Sequence, residues 1–453
     1  MRLSFRVVLS FLLILVAGTA LPGIAQNQNK MLGINVVLNT QVDAYVLADL
    51  ARFGNVRDVI PQINAITMQA KADVLPVIQK LPYVKAAGFD QPRIGIPVEA
   101  VTAEDFSNGL NTWDLDAVNV TNYGEGRSIS YDGTGVYVAV LDTGLLSTWP
   151  YYFPQERIAT DYARAFGGGG GDVGFVSTQP NKWQLDQSSH GTHVTSTILG
   201  YNLRGTPING VAPKATVIPV KVLNQNGHGW SSVIARGITY IADLKAGDLA
   251  GHPVVINMSL GGSMLDPLEE EAINYAIDKG VIIVASAGNR GTAGMGYPGA
   301  YAPVISVAAS GWVGEWTSGS WWLGNVPDPT NPNDYYIATF SSRALAGQDL
   351  DVAAPGTWVV GPYQVNGQIS YYYLGGTSMS SPHVAGIVAL MAQKDSGLTA
   401  SEAETILEST AIPLPAGCRN VLNSSGSVSS ICWGSNATGA GLATADAAVA
   451  AIP

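Results

Sequence analysis

Residues 216–288 read TVIPVKVLNQNGHGWSSVIARGITYIADLKAGDLAGHPVVINMSLGGSMLDPLEEEAINYAIDKGVIIVASAG. Three nearly continuous apolar runs, at 216–223, 254–260 and 281–288, alternate with two helix-like segments, at 232–246 and 268–280. Apolar runs of this kind are typical of strands that are covered on both faces, and their alternation with helices favours parallel pairing. We therefore predict an α/β fold with a doubly wound, mostly parallel sheet that has helices on both faces.

The same alternation continues on either side of this stretch. Further apolar runs are VYVAVL (136–141) and VISVAAS (304–310), and further helix-like segments are HVTSTIL (193–199) and HVAGIVALMAQ (383–393). The predicted sheet therefore extends over most of the second half of the chain.

A smaller unit precedes the sheet. Its predicted strands lie at 34–39, 63–70 and 83–89, and its predicted helices lie at 44–54 and 73–82. These elements indicate a compact α+β unit of a size that is marginally stable alone and can fold against a partner.

The N-terminus has the layout of a secretory signal peptide. Arg2 and Arg6 precede the apolar run 7–16, and small residues follow as far as Ala25. An uncleaved membrane anchor is the alternative, although the run is short for a spanning helix. We predict a signal peptide at 1–25, the small α+β domain at 26–105, the main domain at 106–453, secretion, and no membrane association after cleavage.

Composition excludes several classes of protein. The chain has 453 residues, of which 47% are apolar and 13% charged, and this is typical of neither a disordered chain nor a coiled coil. Its formal net charge of −11 argues against a nucleic-acid partner, because phosphate binding needs clustered lysine and arginine.

The two cysteines, Cys418 and Cys432, are predicted to form one local disulfide in an oxidising compartment, with two free thiols as the alternative. Two sulfurs without a nearby histidine are too few for a metal site.

Three motifs place reactive side chains at the ends of predicted elements. Asp142 ends the strand in AVLDTG, His190 stands at the start of a helix in SHGTHV, and Ser378 lies in GTSMSSPHVAG, directly before the predicted helix 383–393. Each has a simpler reading: Asp142 as a turn former, His190 with His193 as a metal pair, and Ser378 as a helix cap. A zinc-protease pair would need a glutamate between the histidines, which is absent here.

Taken together, the motifs resemble those of the subtilisin family of serine peptidases. The chain order Asp, His, Ser is the order found in subtilisin. The resemblance covers about residues 111–453 and includes the segments NGVAPKATVIPVKVL (209–223), VINMSLGG (255–262), ASAGNRG (285–291), YPGAYAPVISVAA (297–309), DVAAPG (351–356) and GAGLATADAAV (439–449).

The resemblance implies a role for each matched residue. Ser378 is the expected nucleophile, His190 the general base, and Asp142 the group that orients the imidazole. Asn289 matches the asparagine of the family's oxyanion hole. The expected activity is hydrolysis of peptide bonds in polypeptide substrates, through an acyl-enzyme intermediate.

The resemblance also implies a substrate cleft. Ser259, Leu260 and Gly261 form one expected wall, and the segment from Gly227 to Gly229 forms the other, so that a substrate binds as an added strand. Gly296 matches the base of the main specificity pocket, where a glycine leaves room for a large apolar or aromatic side chain. The cleft otherwise shows few charged residues, which favours apolar or mixed substrates over dibasic ones.

The small domain at 26–105 is similar to the family's inhibitory propeptide, with an unrelated small domain as the alternative. As a propeptide it would be an intramolecular inhibitor of an inactive precursor that processes itself. The linker from Asp90 to Asn111 contains the expected processing site. We expect the enzyme to be a monomer.

The chain departs from the family pattern in its calcium ligands and in two insertions. The segments 144–155 and 201–210 lack the carboxylates that a strong calcium site needs, so we expect no required cofactor, although a calcium site elsewhere stays open. The insertion Gly167–Gly171 is expected to be a mobile loop. The insertion 311–336 contains four tryptophans and could extend the cleft or pack as a loop.

Three alternative functions remain at this point. A catalytically inactive relative could act as a binding module, a zinc hydrolase could use His190 and His193, and a narrow processing protease could replace a broad degradative one. The complete set of motif residues argues against the first two.

Overall fold

The computed structural model describes residues 31–95, 99–102, 111–121, 127–170, 175–324 and 326–453, with the backbone alone for 99–102. The predicted signal peptide and the predicted domain boundary at residue 105 lie outside these residues, and both stay predictions.

The N-terminal unit is a four-stranded antiparallel sheet with two short helices. Its elements are β1 (Met31–Leu38), α1 (Ala44–Leu50), β2 (Gly54–Ile60), β3 (Ala65–Lys71), α2 (Leu75–Ile78) and β4 (Val84–Phe89), with the strand order β2-β3-β1-β4. The sequence prediction missed β2 and extended the first helix to residue 54. This edge strand alternates between half-buried and exposed residues and contains Arg57 and Asp58, so its strand propensity is weak and its pairing with β3 decides its structure.

The N-terminal sheet has two apolar faces. Val36 and Ile66 pack with the unit's own helix residue Leu50 on one face. Val37 and Ala65 belong to the same buried cluster as residues of the main domain on the other face. The unit is therefore stabilised by burial against the main domain, as expected for a domain of its size.

The main domain contains a nine-stranded sheet. Eight strands follow the order β17-β16-β15-β14-β7-β12-β8-β9, and β18 also pairs with β16. Their bounds are β7 (Tyr137–Asp142), β8 (Arg164–Gly168), β9 (Val176–Thr178), β12 (Thr216–Lys221), β14 (Val254–Met258), β15 (Val281–Ser286), β16 (Ile305–Trp312), β17 (Tyr335–Ile337) and β18 (Val352–Pro355). All pairs are parallel except β8–β9 and β16–β17, which confirms the predicted mostly parallel sheet.

The sheet is buried on both faces. Along β7, Val138 and Val140 belong to one buried cluster, whereas Ala139 and Leu141 belong to the other. The helices that cover the sheet and the remaining short helices are α3 (Trp113–Ala117), α4 (His190–Leu199), α5 (Ser231–Ala246), α6 (Pro267–Asp278), α7 (Thr377–Lys394), α8 (Ala400–Thr410) and α9 (Ala445–Ala451). Burial on both sides is the reason that the strands read as continuous apolar runs.

The remaining strands form small sheets around the main one. These are β5 (Pro92–Ile94) with β13 (His228–Trp230), β6 (Glu99–Thr102) with β20 (Gln368–Gly375) and β19 (Val359–Val365), β10 (Gly200–Leu203) with β11 (Thr206–Asn209), and β21 (Gly417–Leu422) with β22 (Val428–Trp433). Among the described residues, no helix is long and apolar enough to cross a membrane.

The glycine run is not the loop that the sequence suggested. Gly167 and Gly168 belong to β8 and pair with β9, while a Cβ atom on Gly170 would lie 2.5 Å from the indole of Trp230. These glycines allow close packing against neighbouring groups, so the prediction of a mobile loop is wrong for 167–170. Gly171 lies outside the described residues.

The tryptophan-rich insertion packs into the main domain. Trp321 and Trp322 are almost fully buried, and the ring of Trp321 stacks on Tyr373 with centroids 5.7 Å apart. Trp113 from α3 stacks on Trp312 at 6.4 Å. Of the two readings of this insertion, the structure favours the packed loop, because these indoles are used as core.

Cys418 and Cys432 form a disulfide that joins β21 to β22, where the two residues face each other directly. This pairing agrees with the prediction from sequence. The bridge closes a loop with a sequence separation of 14 residues near the C-terminus.

Replacing both cysteines by serine should lower the free energy of unfolding by about 3 kcal/mol, because the unfolded chain regains the entropy that the closed loop removes. Equilibrium unfolding in guanidinium, followed by tryptophan fluorescence, measures the change. Adding a reductant to the unchanged protein should reproduce it. Equal unfolding midpoints for the two proteins would show that the hairpin unfolds independently of the rest of the main domain.

Candidate active site

Asp142, His190 and Ser378 stand at element ends on one edge of the main sheet. Asp142 is the last residue of β7, His190 is the first residue of α4, and Ser378 lies in the first turn of α7. Helices α4 and α7 pack against each other. The carboxyl ends of parallel strands are where open α/β sheets collect their functional groups.

The prediction that the helix after Ser378 begins at residue 383 is wrong, since α7 begins at Thr377 and includes Pro382. A proline lacks the N–H that would bond the carbonyl four residues earlier, which here is the carbonyl of Ser378. The hydroxyl of Ser259 donates a hydrogen bond to that carbonyl instead, at 2.8 Å. The freed carbonyl is thereby satisfied, and Ser259 is tied to the backbone of Ser378.

Asp142 and His190 form a buried hydrogen-bonded pair. The Nδ1 atom of His190 lies 2.8 Å and 2.9 Å from the two carboxylate oxygens of Asp142, and neither side chain is exposed. The backbone N–H of Thr143 donates to the same carboxylate at 2.7 Å. With its proton on Nδ1, the imidazole keeps a lone pair on Nε2, and Nε2 has no hydrogen-bond partner among the described residues. His190 is therefore arranged to accept a proton.

The hydroxyl of Ser378 is almost fully buried and donates to the carbonyl of Ser259 at 3.3 Å. This distance is long for a hydrogen bond between oxygens, so the contact is weak. The hydroxyl must leave this contact before it can give its proton to His190.

Asn289 is positioned by Thr377. Its Oδ1 atom accepts hydrogen bonds from the backbone N–H and from the hydroxyl of Thr377, both at 2.9 Å. A Cβ atom built on Gly376 would lie 3.5 Å from Asn289 Nδ2 and 3.7 Å from the backbone nitrogen of Ser378. Two N–H donors therefore surround the small space that glycine leaves open, as an oxyanion hole requires.

The predicted cleft is occupied by the chain's own residues. The N–H and carbonyl groups of Ile94 exchange hydrogen bonds with Gly261 at 3.1 Å and 3.0 Å, and the N–H of Gly95 donates to the carbonyl of Gly227 at 2.9 Å. On the same side, Gly229 pairs with Arg93. Residues 92–95 thus lie between the two predicted walls as an added strand.

The segment that contains Gly296, the predicted base of the specificity pocket, lies against the backbone of Gly261 and Gly262. Gly262 and Tyr297 exchange two hydrogen bonds of 2.8 Å each, which hold the two segments together. A Cβ atom on Gly296 would lie 3.4 Å from the carbonyl oxygen of Gly262 and 3.8 Å from the Cα of Gly261. Leu260, which precedes Gly261, is buried.

Sequence reasoning missed Asp186, which positions the start of α4. Its carboxylate accepts hydrogen bonds from the N–H of Ser189 at 2.6 Å and from the hydroxyl of Thr192 at 3.0 Å. Burial raises the pKa of Asp186 to about 6. The residue lies in WQLDQSSH, where an aspartate between a leucine and a glutamine matches none of the quoted family motifs.

Sequence reasoning also missed Glu269. This residue belongs to the first turn of α6, where an acidic residue is ordinary because it favours the helix dipole. In the structure it is completely buried beneath Arg93.

His193, the second histidine of the considered metal pair, is engaged elsewhere. Its Nε2 atom lies 3.1 Å from the carbonyl of Val359, and burial lowers the pKa of His193 to about 3. It is therefore a neutral core histidine that hydrogen-bonds β19, and the geometry does not join it to His190 as a ligand pair.

One group of carboxylates in the described part of the chain could hold a cation. Asp349, Asp351 and Glu404 bring one oxygen each within 4.8 Å of one another. One oxygen of Asp351 already accepts hydrogen bonds from the N–H and hydroxyl groups of Ser306 at 2.6 Å and 2.9 Å. Calcium takes six to eight oxygen ligands, so these three side chains supply about half of a coordination shell. The expectation that no cofactor is required stays a prediction.

Comparison with known proteins defines the class. The sequence profile of the Subtilase family (Peptidase_S8) matches residues 133–443, and the chain therefore belongs to that family. It is a subtilisin-like serine endopeptidase that acts on polypeptides.

Its relatives include two named peptidases. Thermitase of Thermoactinomyces vulgaris is 35% identical over 280 residues, which cover 62% of this chain and 82% of thermitase. Subtilisin E of Bacillus subtilis (strain 168) is 34% identical over 289 residues, which cover 63% of this chain and 62% of subtilisin E.

A solved structure shares the fold over nearly the whole chain. Fervidolysin from Fervidobacterium pennivorans, described as a keratinolytic enzyme related to subtilisin, aligns with a TM-score of 0.66 and 24% identity. The alignment covers 94% of this chain, and the chain spans 62% of the length of fervidolysin. The likeness confirms the predicted fold.

Proposed function

We propose that this protein is a secreted endopeptidase that hydrolyses polypeptides through Ser378, His190 and Asp142, and that it is made as an inactive precursor. The observation that carries the proposal is the buried Asp142–His190 pair at the sheet edge where Ser378 lies, with Nε2 of His190 free of any hydrogen-bond partner among the described residues. A buried aspartate, an oriented imidazole and a serine are the parts that acyl transfer requires.

The reaction has two stages. Ser378 Oγ attacks the scissile carbonyl while His190 Nε2 takes its proton, and Asp142 stabilises the imidazolium that forms. His190 then gives the proton to the leaving amine, which departs and leaves an acyl-enzyme. In the second stage His190 takes a proton from water, the hydroxide attacks the acyl carbonyl, and the proton returns to Ser378.

The oxygen of the tetrahedral intermediate is bound by the N–H of Ser378 and by Nδ2 of Asn289. Because Thr377 holds the Oδ1 atom of Asn289, the amide is already oriented before substrate binds. Donors that are oriented in advance stabilise the transition state without a cost of reorganisation during the reaction.

Asn289→Ala should lower kcat by about 10²- to 10³-fold, the loss measured for this donor in subtilisin, with little change in KM. Initial rates on a chromogenic peptide give both constants. Asn289→Asp is the sharper companion, because it keeps an acceptor for Thr377 but places a negative charge where the oxyanion forms, and its loss should be at least as large. Unchanged kcat in both variants would remove Asn289 from the mechanism.

The residue before the scissile bond is proposed to be large and apolar or aromatic. Gly296 brings no side chain to the base of the proposed pocket, and a Cβ atom there would meet the backbone of Gly261 and Gly262. The preference rests on this shape and on the match of Gly296 to the family motif.

The N-terminal unit is proposed to inhibit the precursor as a propeptide. Residues 92–95 occupy the cleft, and Asp90 anchors the preceding turn by accepting hydrogen bonds from the N–H of Ser232 at 2.9 Å and the N–H of Gly170 at 2.8 Å. Cleavage in the linker that follows would release the unit and open the cleft. One chain supplies the triad and both walls, which supports a monomer.

Expression of the full chain with labelling by a fluorophosphonate probe tests the proposal. We expect the secreted protein to have lost its signal peptide and propeptide by intact mass, to react with the probe at Ser378 and to digest casein. Failure to label after removal of residues 31–95 would favour a binding module and overturn the proposed activity.

A further inference from the structure

The linker that occupies the cleft contains a buried arginine. The side chains of Arg93 and Glu269 are both completely buried and form an ion pair. Nε of Arg93 lies 3.0 Å and 3.1 Å from the two oxygens of Glu269, and Nη2 donates to one of them as well. Burial alone would lower the pKa of Arg93, but the hydrogen bond and charge of Glu269 together with the charges of Asp266 and Asp90 outweigh burial, and the pKa is raised.

Each hydrogen-bond partner of the guanidinium in the described part of the chain is an acceptor. Besides Glu269, Nη2 donates to the carbonyl of Met264 at 3.3 Å and Nη1 to the carbonyl of Pro92 at 2.9 Å. A Cβ atom on Gly262 would lie 2.5 Å from Nη1 of Arg93, so a side chain at position 262 would clash with the guanidinium. A guanidinium has five donors and no acceptor, and its fork matches a carboxylate.

The pocket belongs to the main domain and would remain after the propeptide has left. Glu269, Met264 and Gly262 all lie in or next to α6 and the cleft wall, whereas the guanidinium, the carbonyl of Pro92 and the nearby charge of Asp90 come from the linker. Asp266, the cap of α6, adds a second carboxylate whose charge acts on Arg93. The open cleft therefore presents an acidic pocket to any substrate.

The strand register locates this pocket relative to the scissile bond. Ile94 is paired with Gly261 in an antiparallel bridge, so a substrate in the same register has the residue two positions later opposite Ser259. Ser259 contacts the backbone of Ser378. The substrate residue opposite Ser259 is then the last one before the scissile bond. The substrate residue that takes the place of Arg93 is the fourth one before that bond.

We propose that Glu269 makes this enzyme select polypeptides with an arginine at the fourth residue before the scissile bond. This inference rests on the proposed function, because it requires the cleft to be vacated and used for substrates. An apolar side chain in this pocket would bury the carboxylate of Glu269 without a partner, whereas an arginine pairs it. Lysine offers a point charge and cannot make the bidentate contact, so arginine is favoured over lysine.

Cleavage-site profiling tests the proposal without assuming any other preference. Denatured casein and a mixed peptide library are digested with the mature enzyme, and the new termini are identified by mass spectrometry. Peptides of the form acetyl-Xaa-Ile-Gly-Phe-p-nitroanilide, with arginine, lysine or leucine as Xaa, give kcat/KM. We expect arginine to exceed leucine by about 10- to 100-fold, as for hydrogen bonds to charged groups. In Glu269→Gln the ratio should fall close to one.

Glu270→Gln is the matched control, because it removes the same charge from the next residue of α6 without touching the pocket of Arg93. It should keep the preference for arginine. The inference is overturned if casein is digested without enrichment of arginine at the fourth position, or if Glu269→Gln shows the same enrichment. Either result leaves the proposed function standing. Absence of any digestion and of probe labelling overturns the proposed function, and the inference with it.

Discussion

Ser378→Ala should abolish peptide hydrolysis, with a fall in kcat of about 10⁶-fold, the loss measured when the nucleophile of subtilisin is removed. The reason is chemical: without Oγ no acyl-enzyme forms, and His190 has no proton to accept from a nucleophile. The same variant should stay at the length of the precursor without its signal peptide, because self-cleavage in the linker after Asp90 needs the same hydroxyl.

Fluorophosphonate labelling, casein digestion and intact mass measure the three consequences together. Ser380→Ala is the matched control, since this neighbouring hydroxyl in α7 is buried and has no hydrogen-bond partner among the described residues. It should be labelled and processed like the unchanged protein. A Ser378→Ala protein that digests casein would show that another residue is the nucleophile.

Asp142→Asn should lower kcat by about 10⁴-fold, as in other serine peptidases with a triad. An amide can donate to Nδ1 of His190, which favours the tautomer with its proton on Nε2 and removes the lone pair that must accept the proton of Ser378. The fold should survive, because the amide oxygen can still accept the hydrogen bond from the N–H of Thr143.

Initial rates and the rate of fluorophosphonate labelling measure this effect, and circular dichroism checks the fold. Asp186→Asn is the control, because this carboxylate is also buried near the start of α4 but binds Ser189 and Thr192 instead of the imidazole. Its loss of activity should be much smaller. Equal losses in the two variants would mean that Asp142 acts on the position of α4 and not on the tautomer of His190.

The main sheet was predictable because its strands are buried on both faces. Burial of that kind leaves continuous apolar runs such as Val254–Met258, and these are visible without any tertiary information. The edge strand β2 was not predictable, since Arg57 and Asp58 interrupt its pattern and its pairing partner lies across a turn. Pro382 likewise signals a helix end locally, whereas the hydroxyl that satisfies the freed carbonyl comes from Ser259 in a distant segment.

Some residues of the candidate site were predictable from the sequence and others were not. Asp142, His190, Ser378 and Asn289 were recognisable because each lies in a short local motif, although the contacts that position them, such as those of Thr377 with Asn289, join distant segments. Glu269 was not recognisable, because its buried pairing is with Arg93, a residue 176 positions earlier in the chain that reaches it through the strand in the cleft.

The α/β class, the family and the candidate catalytic side chains follow from the sequence alone, because local motifs and apolar periodicity record them directly. The tertiary structure alone decided what occupies the cleft, which glycines lie against neighbouring groups, and that the indoles of the insertion serve as core. It also decided that one of several acidic residues at the start of α6 faces a buried guanidinium. Burial and pairing between distant segments depend on how the chain packs. The local sequence around an acidic residue in the first turn of a helix is the same whether its side chain faces water or an arginine.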